Sequence, residues 1–206
     1  MILSSISKPY KHIVTLCFES GEELQLDSEF CETAGLIIGR DYSEDELSLL
    51  KKDSDDKRAF SRACYYLSLS DHTKSEMITK LIRAKFPESS AEYAANKLES
   101  LGYINDEALC LRLAQGYAER LISKREALFK LSKRGIEREM ARMAIDEAYG
   151  EDEVEALVSL ISKKYASKLE TEDGARKVFA ALARHGFGYD DIRRALKEFE
   201  FQSYND

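Results

Sequence analysis

The chain has 206 residues, 44% of them hydrophobic and 33% charged, with a formal net charge of −7. That is enough apolar material for a real core in one or two domains, and it excludes a uniformly basic nucleic-acid protein. No apolar run approaches the ~20 residues that a membrane-spanning helix needs; the longest candidate is only Leu36-Ile37-Ile38 between Gly35 and Gly39.

Lys8 and Lys11 are followed by no apolar stretch with a cleavage site, so no signal peptide is expected and the chain reads as cytoplasmic. The next residues are β-rich. In His12–Phe18, Val14, Leu16 and Phe18 share one face. Glu19–Glu22 form a turn, and Leu24 and Leu26 then alternate with Gln25 and Asp27. This predicts a β-hairpin. Ser43 and Glu46 have capping-box spacing and predict a short helix to about Leu50. Lys51–Asp56 is polar enough to read as a linker. Cys17, Cys31, Cys64 and Cys110 are widely spaced, with no C-x-x-C pair, and read as small, partly buried thiols.

From Asp56 onward the pattern becomes helical and repeats. Thr73-x-x-Glu76 and Ser123-x-x-Glu126 are capping boxes, each followed by an apolar stripe that includes Leu81 or Leu131. A third helix carries Val178, Phe179 and Leu182 in the same register, so the three leucines lie 50 and 51 residues apart. Five places on from each leucine comes an apolar residue: Phe86, Ile136 and Phe187. Gly135 and Gly186 precede two of them, as a left-handed C-cap would require, whereas Lys85 followed by Pro87 suggests a different stop in the first copy.

The next helix repeats an i, i+3, i+4, i+7 stripe: Ala91, Ala94, Ala95, Leu98; then Ala141, Ala144, Ile145, Ala148; then Ile192, Ala195, Leu196, Phe199. A further helix precedes each capped one, over roughly 57–69, 105–121 and 151–166. The expected architecture is mainly α, with three tandem three-helix repeats forming an elongated curved solenoid behind a small hairpin-containing N-terminal segment. The boundaries are 1–55, 56–104, 105–150 and 151–206. Because one repeat has little core of its own, neighbours are expected to stack to bury the stripes.

Charge is unevenly distributed. Met1–Asp56 carries five basic and thirteen acidic residues, whereas Arg112–Arg142 carries nine basic and four acidic. Arg120, Lys124, Arg125, Lys130, Lys133, Arg134, Arg138 and Arg142 place positive charge on two successive helices and their turn, a candidate surface for a polyanion. The competing reading is an ordinary solvated face, with Glu126, Glu137 and Glu139 close by.

Nothing supports catalysis or a cofactor. His12, His72 and His185 lie apart, which predicts no metal site. Ser5-Ile6-Ser7-Lys8 has S-x-x-K form in what reads as a frayed terminus, Asp53–Asp56 place carboxylates on a linker, and Gly35-x-x-x-Gly39 lacks a following Lys-Ser/Thr. Tyr103 is expected to pack between helices, Gly102 to turn left-handed and Asp106 to cap the helix that follows.

The junction Leu101-Gly102-Tyr103-Ile104-Asn105-Asp106-Glu107 resembles the L-G-Y-[LI]-[ND]-D-E junction of the RecX family. Ala59…Ala63…Leu67-Ser68…Thr73…Glu76…Leu81 is similar to that family's first repeat, and Ile122–Ile136, ending Lys133-Arg134-Gly135-Ile136, to its second. Two departures are Ile122-Ser123, where a glycine usually stands before the basic pair, and Lys130, where an acid is common. The resemblance implies a non-enzymatic regulator of DNA repair and recombination. It would bind RecA recombinase filaments on single-stranded DNA and inhibit ATP hydrolysis and strand exchange, as a cytoplasmic monomer with no cofactor and no membrane partner. A helical DNA-binding regulator and a protein-binding scaffold are the alternatives.

Overall fold

A computed structural model of the chain describes residues 1–149, 153–171 and 173–203. The expected helix start at Glu151 and the repeat bounds at Gly150, Glu151 and Asp206 lie outside these. The chain divides into two compact units, Met1–Asn105 and Asp106–Asp206.

The first unit opens with three antiparallel strands in the order β1-β2-β3: β1 (Leu3–Tyr10), β2 (Ile13–Phe18) and β3 (Glu23–Asp27). The expected hairpin is β2–β3, with Leu16 opposite Leu24 and Val14 opposite Leu26. Val14, Leu16 and Phe18 are buried together with Leu3, Leu26, Tyr42 and Leu47. Residues Ser5–Lys8, expected to be frayed, are in β1, where Ser7 pairs with Thr15. A short α1 (Ser28–Thr33) follows, and the Asp27 carboxylate accepts from the Phe30 N–H at 3.0 Å.

The expected linker does not exist. Helix α2 (Glu44–Leu69) runs for 26 residues straight through Lys51–Asp56, and Ser54, Asp55 and Asp56 are buried in its middle. Polarity here marks contact rather than solvent. The Ser54 hydroxyl accepts from the Asp27 N–H at 2.7 Å, and the Asp55 carboxylate pairs with Lys51 and Arg58 at 3.1 and 3.5 Å. The Ser43–Glu46 capping box that starts α2 is complete in both directions.

Helices α3 (Lys74–Arg83) and α4 (Glu88–Ser100) complete the first helical set. Its core joins Ala59 and Ala63 of α2 to Met77 and Leu81 of α3 and to the stripe Ala91, Ala94, Ala95 and Leu98 of α4. In the second unit, α5 (Asp106–Glu119), α6 (Lys124–Lys133) and α7 (Arg138–Tyr149) enclose Cys110, Ala114, Ala127, Leu131, Ala141, Ala144 and Ile145. The third set is α8 (Val154–Lys164), the single turn α9 (Ala166–Leu169), α10 (Gly174–Arg184) and α11 (Tyr189–Ser203), around Leu157, Ile161, Val178, Leu182, Ile192 and Ala195. Each stripe is thus covered within its own helical set, and stacking of neighbours is not what buries it. Small alanines let the helices approach closely enough to close a core locally.

The middle helix of every set ends the same way. The N–H groups of Phe86, Ile136 and Phe187 donate to the carbonyls of Leu81, Leu131 and Leu182 at 3.2, 3.3 and 3.3 Å. The residues before them, Lys85, Gly135 and Gly186, have φ of +69°, +74° and +90°. Lys85 therefore does not stop its helix by a different device; it takes the left-handed turn that glycine takes elsewhere, at a steric cost.

At the junction, Gly102 has φ +75°. Tyr103 is 70% exposed rather than packed, because the chain turns Ile104 into the core in its place at 2% exposure. Helix α5 begins at Asp106 itself, which leaves the capping position to Asn105. All four cysteines are free; Cys110 is buried and Cys64 is exposed. No helix among the described residues is long and apolar enough to cross a membrane, and none of their side chains form a metal-competent cluster.

Candidate nucleic-acid interface

The eight cations picked out in the sequence lie on α6, on α7 and at their edges, but the structure does not gather them equally. Lys124 opens α6, is half-buried, and donates its backbone N–H to the Glu153 carboxylate at 2.7 Å. Ser123 caps α6 by accepting from the Glu126 N–H at 3.1 Å, while its hydroxyl donates to the His185 carbonyl at 2.6 Å. This ties the start of α6 to the end of α10. Gly186 fits the same contact closely: a methyl there would stand 2.9 Å from the Ser123 hydroxyl and 3.5 Å from the Arg125 side chain.

The carboxylate of Glu126 faces Lys130 at 3.2 Å and His185 at 3.7 Å. Lys130 is therefore neutralised on its own helix, and Arg142 is likewise paired with Glu139 at 3.6 Å. Arg134 is half-buried at the C-cap of α6. Of these eight, the exposed cations with no ion-pair partner among the described residues are Arg120, Arg125, Lys133 and Arg138. Lys133 lies over the exposed ring of Phe129 at 4.5 Å. Lys133 follows Arg125 by eight helical residues, about 12 Å along α6. Arg125 and Lys133 are thus separated charges along α6.

Sequence reasoning missed the residues around Arg120. A hollow of about 160 Å³ is lined by Arg120, Ser123, Glu126, Lys164, Tyr165 and His185, among others. Lys164 and Tyr165 end α8, some 40 residues further along the chain, and no local pattern near Arg120 points to them. Two groups are held neutral. Burial, then the charge of Asp106, raises the Cys110 thiol above its ordinary range; burial, then the charges of Glu153 and Glu126, raises the Tyr149 phenol.

Family models meet the chain at two of its three helical sets. Residues 59–98 match the first three-helix domain of RecX, and residues 151–196 match the third. The chain belongs to the RecX family.

A regulatory protein RecX from Caldanaerobacter subterraneus is 26% identical across 95% of this chain and 98% of its own length. The crystal structure of RecX from Lactobacillus salivarius is 25% identical over 71% of this chain and 97% of that one, with a TM-score of 0.62. A further crystal structure of a regulatory protein RecX, at 19% identity and a TM-score of 0.67 over 95% of the chain, has the same fold. RecX is a family of regulatory proteins rather than enzymes. Its three-helix units account for the 50-residue register, and the N-terminal sheet and α1 are built ahead of them.

Proposed function

We propose that the protein binds RecA filaments on single-stranded DNA and inhibits their ATP hydrolysis and strand exchange. It would act as a cytoplasmic monomer, and its contacts would come from the cationic strip of the middle repeat. One observation carries the reading: four exposed cations, Arg120, Arg125, Lys133 and Arg138, have no carboxylate partner among the described residues, in a chain whose net charge is −7. Unpaired cations on two successive helices and their edges can engage an extended anion, and a nucleoprotein filament offers a repeating polyanion.

The test is RecA ATPase on single-stranded DNA with the full chain added at up to equimolar ratio. Inhibition at moderate salt that weakens as salt rises is expected. Unchanged ATPase at both low and moderate salt overturns the reading.

A further inference from the structure

The second unit also carries a groove of opposite character to its cationic helices. The groove lies between α5 and α7, has a volume of about 280 Å³, and has a floor of Leu111, Met140, Met143 and Ala144. Its rim is acidic: Glu107 comes from α5, and Glu137, Glu139 and Glu147 come from α7 and the turn before it. Among the described residues no lysine, arginine or histidine lines it.

Helical spacing brings these groups together. Met140, Met143, Ala144 and Glu147 are i, i+3, i+4, i+7, one stripe of α7 about 10 Å long, and Glu107 and Leu111 are i, i+4 on α5. The helices meet beneath the floor, where the buried Cys110 thiol lies 3.8 Å from the Met140 carbonyl. The carboxylates are not equally engaged. That of Glu137 accepts from the N–H groups of Glu139 and Met140, both at 3.2 Å, and Glu139 faces Arg142 at 3.6 Å. Glu107 and Glu147 are exposed and have no ion-pair partner among the described residues. No metal-competent cluster forms among the described residues, so these carboxylates are a charged rim around an apolar floor.

The other two helical sets treat the equivalent surface differently. At the position of Met143 the register places Tyr93 in the first set and Arg194 in the third, and at that of Glu147 it places Lys97 and Glu198. In the first set the Lys97 ammonium lies over the rings of Tyr93 and Phe60 at 5.5 and 4.7 Å, so the chain's own cation covers the apolar surface. In the third, Arg194 pairs at 2.6 Å with Asp191, which stands where Met140 does. The second set has Glu147 in place of that lysine, and its Met143 is 67% exposed. It keeps the apolar floor and leaves the covering cation to come from elsewhere.

Small-molecule clefts usually enclose roughly 300–1,000 Å³, whereas this groove is smaller and floored in part by an exposed methionine; it suits side chains inserted by a partner. Two packed helices with apolar stripes accept a third helix laid between them, and methionine adapts to whatever side chains it meets. Carboxylates at the rim favour lysine and arginine on that helix and disfavour acidic residues.

We propose that this groove docks a cationic amphipathic helix of a partner protein, with its apolar face on Leu111, Met140 and Met143 and its lysines or arginines on Glu107 and Glu147. The contact goes beyond the recombinase reading: it uses charge of the opposite sign and needs neither DNA nor RecA.

The experiment is fluorescence anisotropy of the full chain with a labelled, end-capped peptide of about 15 residues, long enough to become helical on binding. Its leucines share one helical face, and lysine and alanine fill the rest. Saturable binding that weakens with salt is expected. A peptide of the same composition with its leucines scattered around the helix should bind about tenfold more weakly or worse. Glu107→Gln/Glu147→Gln and Met143→Ser should each lose roughly fivefold or more, whereas the charge-matched control Glu119→Gln/Glu155→Gln should stay within about twofold of the wild type. All five substituted side chains are exposed, and circular dichroism melts check that each variant folds. In methionine-methyl NMR the peptide should shift Met140 and Met143 and leave Met77, in the first unit, unmoved. The proposal is overturned if the peptide does not bind, if the scattered peptide binds as tightly, if the groove variants bind as the wild type does, or if the control loses as much. Sedimentation velocity separates a second copy of the chain from a foreign helix: self-association that Glu107→Gln/Glu147→Gln abolishes would assign the groove to the chain itself and overturn the partner assignment. RecA is absent throughout, so failure here leaves filament inhibition standing, and failure of filament inhibition leaves this site standing.

Discussion

Single residues show where the repeat is strained and where it is reinforced. Lys85 occupies with φ +69° the turn that Gly135 and Gly186 occupy in the other two repeats. A side chain in that region costs roughly 1–2 kcal/mol, and a glycine would return roughly 0.4–1 kcal/mol of that through its freer unfolded state. Lys85→Gly should therefore raise stability by about 0.5–1 kcal/mol, seen as a higher Tm, and Gly135→Lys should lower it. The sequence at Lys85-Phe86-Pro87 concealed this, because the left-handed turn is imposed by the Phe86-to-Leu81 bond and not by the residue in it. Glu46 is the reinforced case. The Ser43 backbone N–H donates to its carboxylate and, with the Ser43 hydroxyl after it, holds it below the ordinary carboxylate range. A depressed folded value means that the cap's contribution is present above the unfolded value and lost as pH falls through the folded one. Carboxyl NMR of Glu46 should show a lowered midpoint that rises only part-way in Ser43→Ala, because that variant loses the hydroxyl contribution and keeps the backbone N–H.

At the scale of elements, periodic segments could be read in advance and interrupted ones could not. The alanine stripes, the Ser43, Thr73 and Ser123 caps and the β2–β3 hairpin could be predicted because each is a local pattern with a local cause. Helix α2 could not. Lys51–Asp56 is polar in sequence, yet Ser54 meets the Asp27 N–H, 27 residues away, and Lys51 reaches the Gln25 carbonyl, so the segment is held by contacts that no local pattern announces. Strand β1 was hidden likewise, since Leu3 alone among its residues is buried. The contact of Ser54 with Asp27 is testable. Ser54→Ala strands a part-buried N–H and should cost about 1–2 kcal/mol in urea unfolding. Ser68→Ala, on the exposed end of the same helix, should change little. Of the candidate site, the sequence located the basic helices but not which cations are free. Lys130 and Arg142 are indistinguishable from Lys133 and Arg138 until their carboxylate partners are placed.

For the molecule as a whole, the distribution of charge outweighs its sum. Acid is concentrated in the N-terminal part and cations are left unpaired on the middle and third repeats, so an acidic protein can still present positive surface to a polyanion. Exposed ion pairs contribute on the order of 0–1 kcal/mol each, so reversing the unpaired cations should spare folding and reach binding alone. The most direct measurement is co-sedimentation with RecA–single-stranded DNA filaments of two variants: Arg120→Glu/Arg125→Glu/Lys133→Glu/Arg138→Glu, and Lys130→Gln/Arg142→Gln. The first should lose filament binding by tenfold or more while melting as the wild type does, on the order of one or two phosphate contacts per cation reversed, and the second should bind nearly normally. Undiminished binding by the first, or equal losses in both, would contradict the claim that unpaired cations meet the filament.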